Sequence, residues 1–217
     1  MLQWQKKMIN NLFPISKTGI KYICCAFFFF VVFEILDVDF LANLSFVSIL
    51  VFLYLFRNPE REIPTFAEAS LVSPVDGVIR AIDEIDDKEY AYKIEIETSY
   101  KDVALLRAPM NAKVETLALS KGTRVSKHHA LFEKTNENVS IEFRDSLDNK
   151  IKLVHRLKQS FHPLSLDIIL NQELRQSTRY GVALNAITTM YIPKNFRLNA
   201  SVNNELIASQ TLLGYFS

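Results

Sequence analysis

The side chains suited to acid–base, nucleophilic or metal chemistry are few: the chain holds four histidines and two cysteines. His128 and His129 are adjacent in a basic stretch, KGTRVSKHH, at 121–129. Neighbouring residues on a strand point to opposite faces, so the pair can share one metal only in a loop. A solvated surface pair is the expectation, because functional histidines need a partner and none is identifiable here. His155 falls in a strand-like run and reads as a packed, hydrogen-bonded core residue. His162 precedes Pro163 and reads as a bend. Cys24 and Cys25 are adjacent, which disfavours a bond between them. With no spaced Cys/His set a structural zinc site is not expected, and the two read as small apolar residues. There is no phosphate-binding glycine loop, no G-x-S-x-G elbow and no H-E-x-x-H pair.

The elements that must position any site fall into two kinds. From about residue 59 onward the hydrophobic period is two: Tyr92, Ile94 and Ile96 alternate with Lys93, Glu95 and Glu97, and Val139, Ile141 and Phe143 with Ser140 and Glu142. Residues 78–82, 103–106, 114–119 and 151–155 are further strand candidates, with breakers at Pro74, Asp76-Gly77, Pro109, Lys121-Gly122 and Asp148-Asn149. Short strands at this spacing predict a mainly β domain of sandwich or barrel type. The segment 164–174 is ambiguous between strand and helix, and no long soluble helix or repeat is expected.

Before residue 57 the chain is different. Residues 22–33 are wholly apolar or aromatic, and 40–56 are interrupted only by Asn43, Ser45 and Ser48. Each run is slightly short of the ~20 residues that span a bilayer; with their flanks they predict a two-helix membrane hairpin turning at 34–39. Lys6, Lys7, Lys17 and Lys21 precede the first run and Arg57 and Arg61 follow the second, while the turn carries only Glu34, Asp37 and Asp39. The positive-inside rule places both ends, and the soluble domain, in the cytoplasm. The expected organisation is a basic N-terminus at 1–21, a hairpin at 22–56 and a β domain at 57–217. A formal net charge of +1 over 217 residues gives no support for nucleic-acid binding. The length suffices for a core without staples.

Two motifs carry a resemblance. Residues 57–64 read R-N-P-E-R-E-I-P directly after the hairpin, and 71–79 read L-V-S-P-V-D-G-V-I. They resemble the F-R-D-P-E-R and S-P-A-D-G motifs of bacterial phosphatidylserine decarboxylases of the short form. Arg179-Tyr180-Gly181 followed by Tyr191-Ile192-Pro193 resembles that family's R-F-G and Y-L-P, and 207–214 its closing A-G-x-T-V-L. The resemblance implies a β-rich domain at the cytoplasmic face of a bacterial inner membrane. It implies an aminophospholipid substrate and an electron sink made from the chain itself: a Gly-Ser bond breaks and the Ser becomes a pyruvoyl group, aided by an Asp and a His.

The chain departs from that pattern at the reacting residues. Between the R-Y-G and Y-I-P segments the Gly-Ser pair falls on Asn185-Ala186 or on Ala186-Ile187, neither with a hydroxyl at the Ser position. The family's S-P-x-D-V-H-V-N aligns with Ala108-Pro109-Met110-Asn111-Ala112-Lys113-Val114-Glu115, putting Lys113 at the His and Asn111 at the Asp. Asp76 is retained, as a site residue or as the turn of a simple Asp-Gly hairpin. Groups that act as a unit lose most of their effect when one is removed. The expectation is therefore a member without a pyruvoyl cofactor, binding membrane aminophospholipid or pairing, as a homo- or hetero-oligomer, with an active decarboxylase. Two alternatives stand beside it: decarboxylation by a divergent route through Lys113, since a desolvated lysine can form imines, and a membrane-anchored protein-interaction module. Only five glycines occur. Asn171, Ser177, Asn185 or Ala186, and Ser209 stand where the family pattern has Gly.

Overall fold

The structure, a computed structural model, describes residues 14–64, 66, 67 and 69–217. It divides between Glu60 and Arg61 into two units. Among its described residues the first holds two helices, α1 (Lys17–Ile35) and α2 (Asp39–Leu55). Tyr22 on α1 stacks on Phe56 at 5.3 Å between ring centroids, and Phe30 meets Phe46 at 6.0 Å. Gly19 makes the close approach possible, because a Cβ there would lie 2.3 Å from that of Phe56. Aromatic side chains of α1 and α2 point outward along both helices, Phe28 and Phe40 among the most exposed. Of the two, α1 is long and apolar enough to cross a membrane, while α2 has 17 residues. The helix begins at Lys17, so Lys17 and Lys21 belong to it rather than to the expected N-terminal segment 1–21; Lys6 and Lys7 lie outside the described residues. The turn is also tighter than 34–39, and Asp37 takes a left-handed φ of 58° within it.

The second unit is mainly β, as the period-two pattern predicts. Its strands are β1 (Ser70–Val72), β2 (Gly77–Glu84), β3 (Tyr92–Glu97), β4 (Leu105–Arg107), β5 (Ala112–Ser120), β6 (Asn138–Arg144), β7 (Lys150–Leu157), β8 (Ser165–Leu166), β9 (Glu173–Leu174), β10 (Arg179–Val182), β11 (Ala186–Ile192), β12 (Phe196–Leu198), β13 (Glu205–Leu206) and β14 (Leu212–Phe216), with one helical turn, α3 (Phe132–Thr135). Eight form one antiparallel sheet in the order β13-β2-β3-β11-β7-β6-β5-β9; two three-stranded sheets, β1-β14-β12 and β4-β10-β8, complete the domain. One face of the large sheet supplies Ile79, Ile94, Ile96, Val139, Ile141, Leu153 and Met190 to a common core. Each such side chain contributes ~1.5–3 kcal/mol by burial, which fixes the register, since a one-residue slip would expose the whole set.

Two expectations are corrected. Asp76-Gly77 does not turn a hairpin: β1 pairs with β14, whereas β2 pairs with β3 and β13. The segment instead carries the chain from one sheet to another, and Gly77 is required because a Cβ would lie 2.3 Å from the Glu97 carbonyl oxygen. The ambiguous 164–174 segment is neither one strand nor a helix. It holds the two-residue strands β8 and β9 joined by a loop that exposes Ile169 and Leu170.

Candidate functional site

Asp76 is held from three directions. Its carboxylate accepts from both terminal nitrogens of Arg61, at 2.6 and 2.5 Å, and from the Ala208 backbone N–H at 2.8 Å. The same guanidinium donates to the Ala208 carbonyl at 2.9 Å. Both side chains are mostly buried, at 10% and 13% exposure. The R-N-P-E-R and S-P-V-D-G motifs therefore meet in a fork-to-carboxylate pair, the geometry that planar guanidinium favours.

Asn185 and Ala186 lie at the entry to β11. Asn185 has φ 57°, the left-handed region that glycine occupies freely and Asn tolerates. Its amide nitrogen donates to the Gln159 carbonyl at 2.8 Å, and its carbonyl accepts from the Lys158 N–H at 2.9 Å. Ala186 has ordinary strand geometry, exchanges both backbone hydrogen bonds with Thr98 at 2.9 and 3.2 Å, and is 1% exposed. Ile187 follows on the opposite face, half-buried, opposite Glu97 and Arg156. Thr98 links this point to the first, since its hydroxyl donates to the Asp76 carbonyl at 2.7 Å.

Lys113 is not brought into this group. It is exposed near the start of β5, opposite Glu173 and Arg144. Among the described residues no hydrogen bond or ion pair joins it to Asp76. The segments themselves run side by side: the Val72 N–H donates to the Pro109 carbonyl and the Arg107 N–H to the Pro74 carbonyl. The Asn111 side chain is occupied, accepting from the Gln176 N–H at 2.8 Å.

The histidines fall as their contexts predict. His128 and His129 are exposed. His155 is fully buried, with Nδ1 2.8 Å from Thr188 Oγ1 and Nε2 2.6 Å from the Tyr180 hydroxyl. Burial lowers its pKa from 6.5 to about 3, so the ring is neutral, and the same burial raises that of Tyr180. The network joins β7, β10 and β11. Its pairing could not be read from sequence, because Tyr180 and Thr188 are distant from His155 and the R-Y-G motif that holds Tyr180 does not name its partner.

Glu97 was equally silent. Partial burial alone would raise its pKa, but hydrogen bonds from Lys127, Lys158 and Arg80, at 2.7–2.9 Å, outweigh it and bring the pKa down to about 2. No group of three or more His, Cys, Asp or Glu among the described residues is arranged to hold a metal.

Comparison with known proteins gives a consistent result. A family model described as phosphatidylserine decarboxylase matches residues 49–214. A phosphatidylserine decarboxylase proenzyme from Desulfotalea psychrophila is 26% identical over 212 residues, covering 95% of this chain and 99% of its own. One from Geotalea uraniireducens is 28% identical over 213 residues with the same coverage, and one from Carboxydothermus hydrogenoformans is 37% identical over 86 residues, 38% of this chain and 40% of its own.

Proposed function

The chain belongs to the phosphatidylserine decarboxylase family, and from that premise we propose that it neither cleaves itself nor decarboxylates through a pyruvoyl group, and serves phospholipid metabolism as a membrane-anchored lipid-binding or regulatory homologue. One observation carries this reading: of the two alignments open to the Gly-Ser pair, the backbone favours Asn185-Ala186, because Asn185 has the left-handed φ and Ala186 does not. The residue in the Ser position is then Ala186, whose methyl group has no oxygen to attack the preceding carbonyl. The residues present do not fit a pyruvoyl group. Ile187, the other candidate, has no hydroxyl either. Thr188 has one, but it is fully buried and bonded to His155.

A membrane anchor is supported by the length and outward-facing aromatic surface of α1, and the basic residues flanking the hairpin favour a cytoplasmic β domain. The expected ligand is an aminophospholipid, and the expected partner a second copy or an active decarboxylase. A route through Lys113 has no comparable support: the residue is exposed, and an amine cannot form an imine with the amine of phosphatidylserine. Intact mass spectrometry of the purified full chain tests the reading. A single species at the full-length 25.0 kDa is expected. A large N-terminal fragment with a short C-terminal one whose mass shows an α-keto acyl group in place of its terminal amine would overturn it.

A further inference from the structure

Positive charge is concentrated at one place on the outer face of the large sheet. Residues 57–217 hold 21 basic and 21 acidic side chains, a neutral domain. Around Ile187, however, cations outnumber carboxylates: four of them surround Glu97, while Glu95 on the same face is paired with Lys93. Glu97 and Arg156 flank Ile187 on the neighbouring strands β3 and β7, and residues directly opposite across antiparallel pairs share a face. Lys158 follows β7, Lys127 reaches in from the loop before α3, and Arg80 comes from the bulge in β2 between Ile79 and Ala81. Lys127, Lys158 and Arg80 all converge on Glu97, at 2.7–2.9 Å. Arg80, Lys127, Arg156 and Lys158 stand against Glu97 and, across Val78 at the sheet edge, Glu205, a balance of four to two.

Arg156 is the unexplained member. Its guanidinium sits over the Phe132 ring at 5.7 Å, its Nε is buried without a hydrogen-bond partner, and among the described residues it forms no ion pair. Buried guanidinium nitrogens are rarely left unmatched. Arg80 is bound to Glu97 through Nε, and its side chain is 53% exposed. Two strand spacings separate the Glu97 and Arg156 positions, about 10 Å, with Ile187 as the floor between them. Lys158 reaches across this span from the end of β7 to Glu97, so a tetrahedral oxyanion seated above Ile187 would meet ammonium as well as guanidinium donors, and guanidinium groups bind such anions through paired N–H donors.

We propose that this face binds the phosphate of a phospholipid headgroup above Ile187, with Arg156 on one side and Lys127 and Arg80 on the other, and with Glu97 setting the directions of Lys127, Lys158 and Arg80. The choice of a lipid rests on the function proposed above; the oxyanion chemistry does not. Inorganic phosphate presents the same oxygens, and the two sources separate experimentally. Detergent-solubilised full chain is titrated calorimetrically with dihexanoyl phosphatidylserine, dihexanoyl phosphatidic acid and inorganic phosphate.

Both lipids are expected to bind, with affinity falling as salt rises, and with at least a tenfold loss in Arg156→Gln and in Lys127→Gln. Arg80→Gln, at a half-exposed position outside the core, is expected to lose at least threefold. Lipid binding unchanged in all three variants would overturn the site. Binding of inorganic phosphate through these residues while neither lipid binds would overturn the lipid assignment. A chain found cleaved and pyruvoyl-bearing that still binds lipid through Arg156 would defeat the proposed function and leave this inference standing.

Discussion

Ser209→Gly is expected to stabilise the β domain. Ser209 is fully buried, has φ 69°, and its hydroxyl has no hydrogen-bond partner. Three terms decide the sign. A non-glycine residue in the left-handed region costs about 1–2 kcal/mol. A buried hydroxyl without a partner costs about 1–3 kcal/mol. Against these, glycine gives the unfolded chain freedom worth about 0.5–1 kcal/mol. The backbone bond from the Ser209 N–H to the Ser73 carbonyl, 2.9 Å, survives the change. The net gain is about 2 kcal/mol, a rise in Tm of about 4–8 °C for a domain of this size. Differential scanning calorimetry of the full chain in detergent reads it. Ser209→Ala separates the terms, because it removes the hydroxyl and keeps the strain, so its Tm should fall between wild type and Ser209→Gly. Asn171→Gly, at an exposed Asn with φ 63°, should leave Tm within about 1 °C, since Asn tolerates that conformation. A Ser209→Gly protein melting at or below wild type would refute the reasoning, showing that the hydroxyl is satisfied or the strain absent.

Two further outcomes follow from the buried polar groups. Asp76→Asn should cost about 2–4 kcal/mol by leaving the Arg61 guanidinium without its countercharge in a mostly buried position, read as a lower denaturant midpoint at unchanged slope. His155 ties stability to pH. Its folded pKa of about 3 lies below the unfolded 6.5, so its contribution is complete above 6.5 and is lost as pH falls toward 3; at pH 5 the loss is about 2 kcal/mol. His155→Gln should remove the decline between pH 6.5 and 5, which urea titrations at stepped pH will show, and persistence of that decline in the variant would assign it to other groups.

The sequence made the strands legible wherever one face was buried and the other wet: alternation over 92–97 and 139–143 places β3 and β6 within a residue of their observed ends. Legibility failed where a segment faced neither way consistently. Residues 164–174 mix core contacts at Leu164, Ile168 and Leu174 with exposed Ile169 and Leu170, which no single period describes. Asp76-Gly77 failed for another reason, as the local signal of a hairpin turn was overridden by long-range pairing of β1 with β14 and by the Arg61 fork. The motif residues of the site were readable one by one, but their partners were not. Nothing in the chain near Glu97 announces three cations, and nothing near His155 announces Tyr180, because those contacts are set by sheet order.

The scarcity of glycine is where sequence and structure bear most directly on function. Asn171, Ser177 and Ser209, where the family pattern calls for glycine, and Asn185, one of the two candidates for the cleavage glycine, all have φ between 57° and 70°. The chain has kept the left-handed turns while losing the residue that makes them without strain. Asn185 replaces the lost freedom with a side-chain bond to Gln159, whereas Ser177 and Ser209 have buried hydroxyls without partners. A left-handed turn constrains only the backbone, and several residue types meet that demand, Asn at little cost and Ser at about 1–2 kcal/mol. Acyl transfer at the following residue needs a particular oxygen, and no alternative at Ala186 supplies it at any cost. The two demands are therefore separable: the left-handed backbone holds at four positions whatever side chain stands at 186, which is why the proposed function keeps the scaffold and gives up the cleavage.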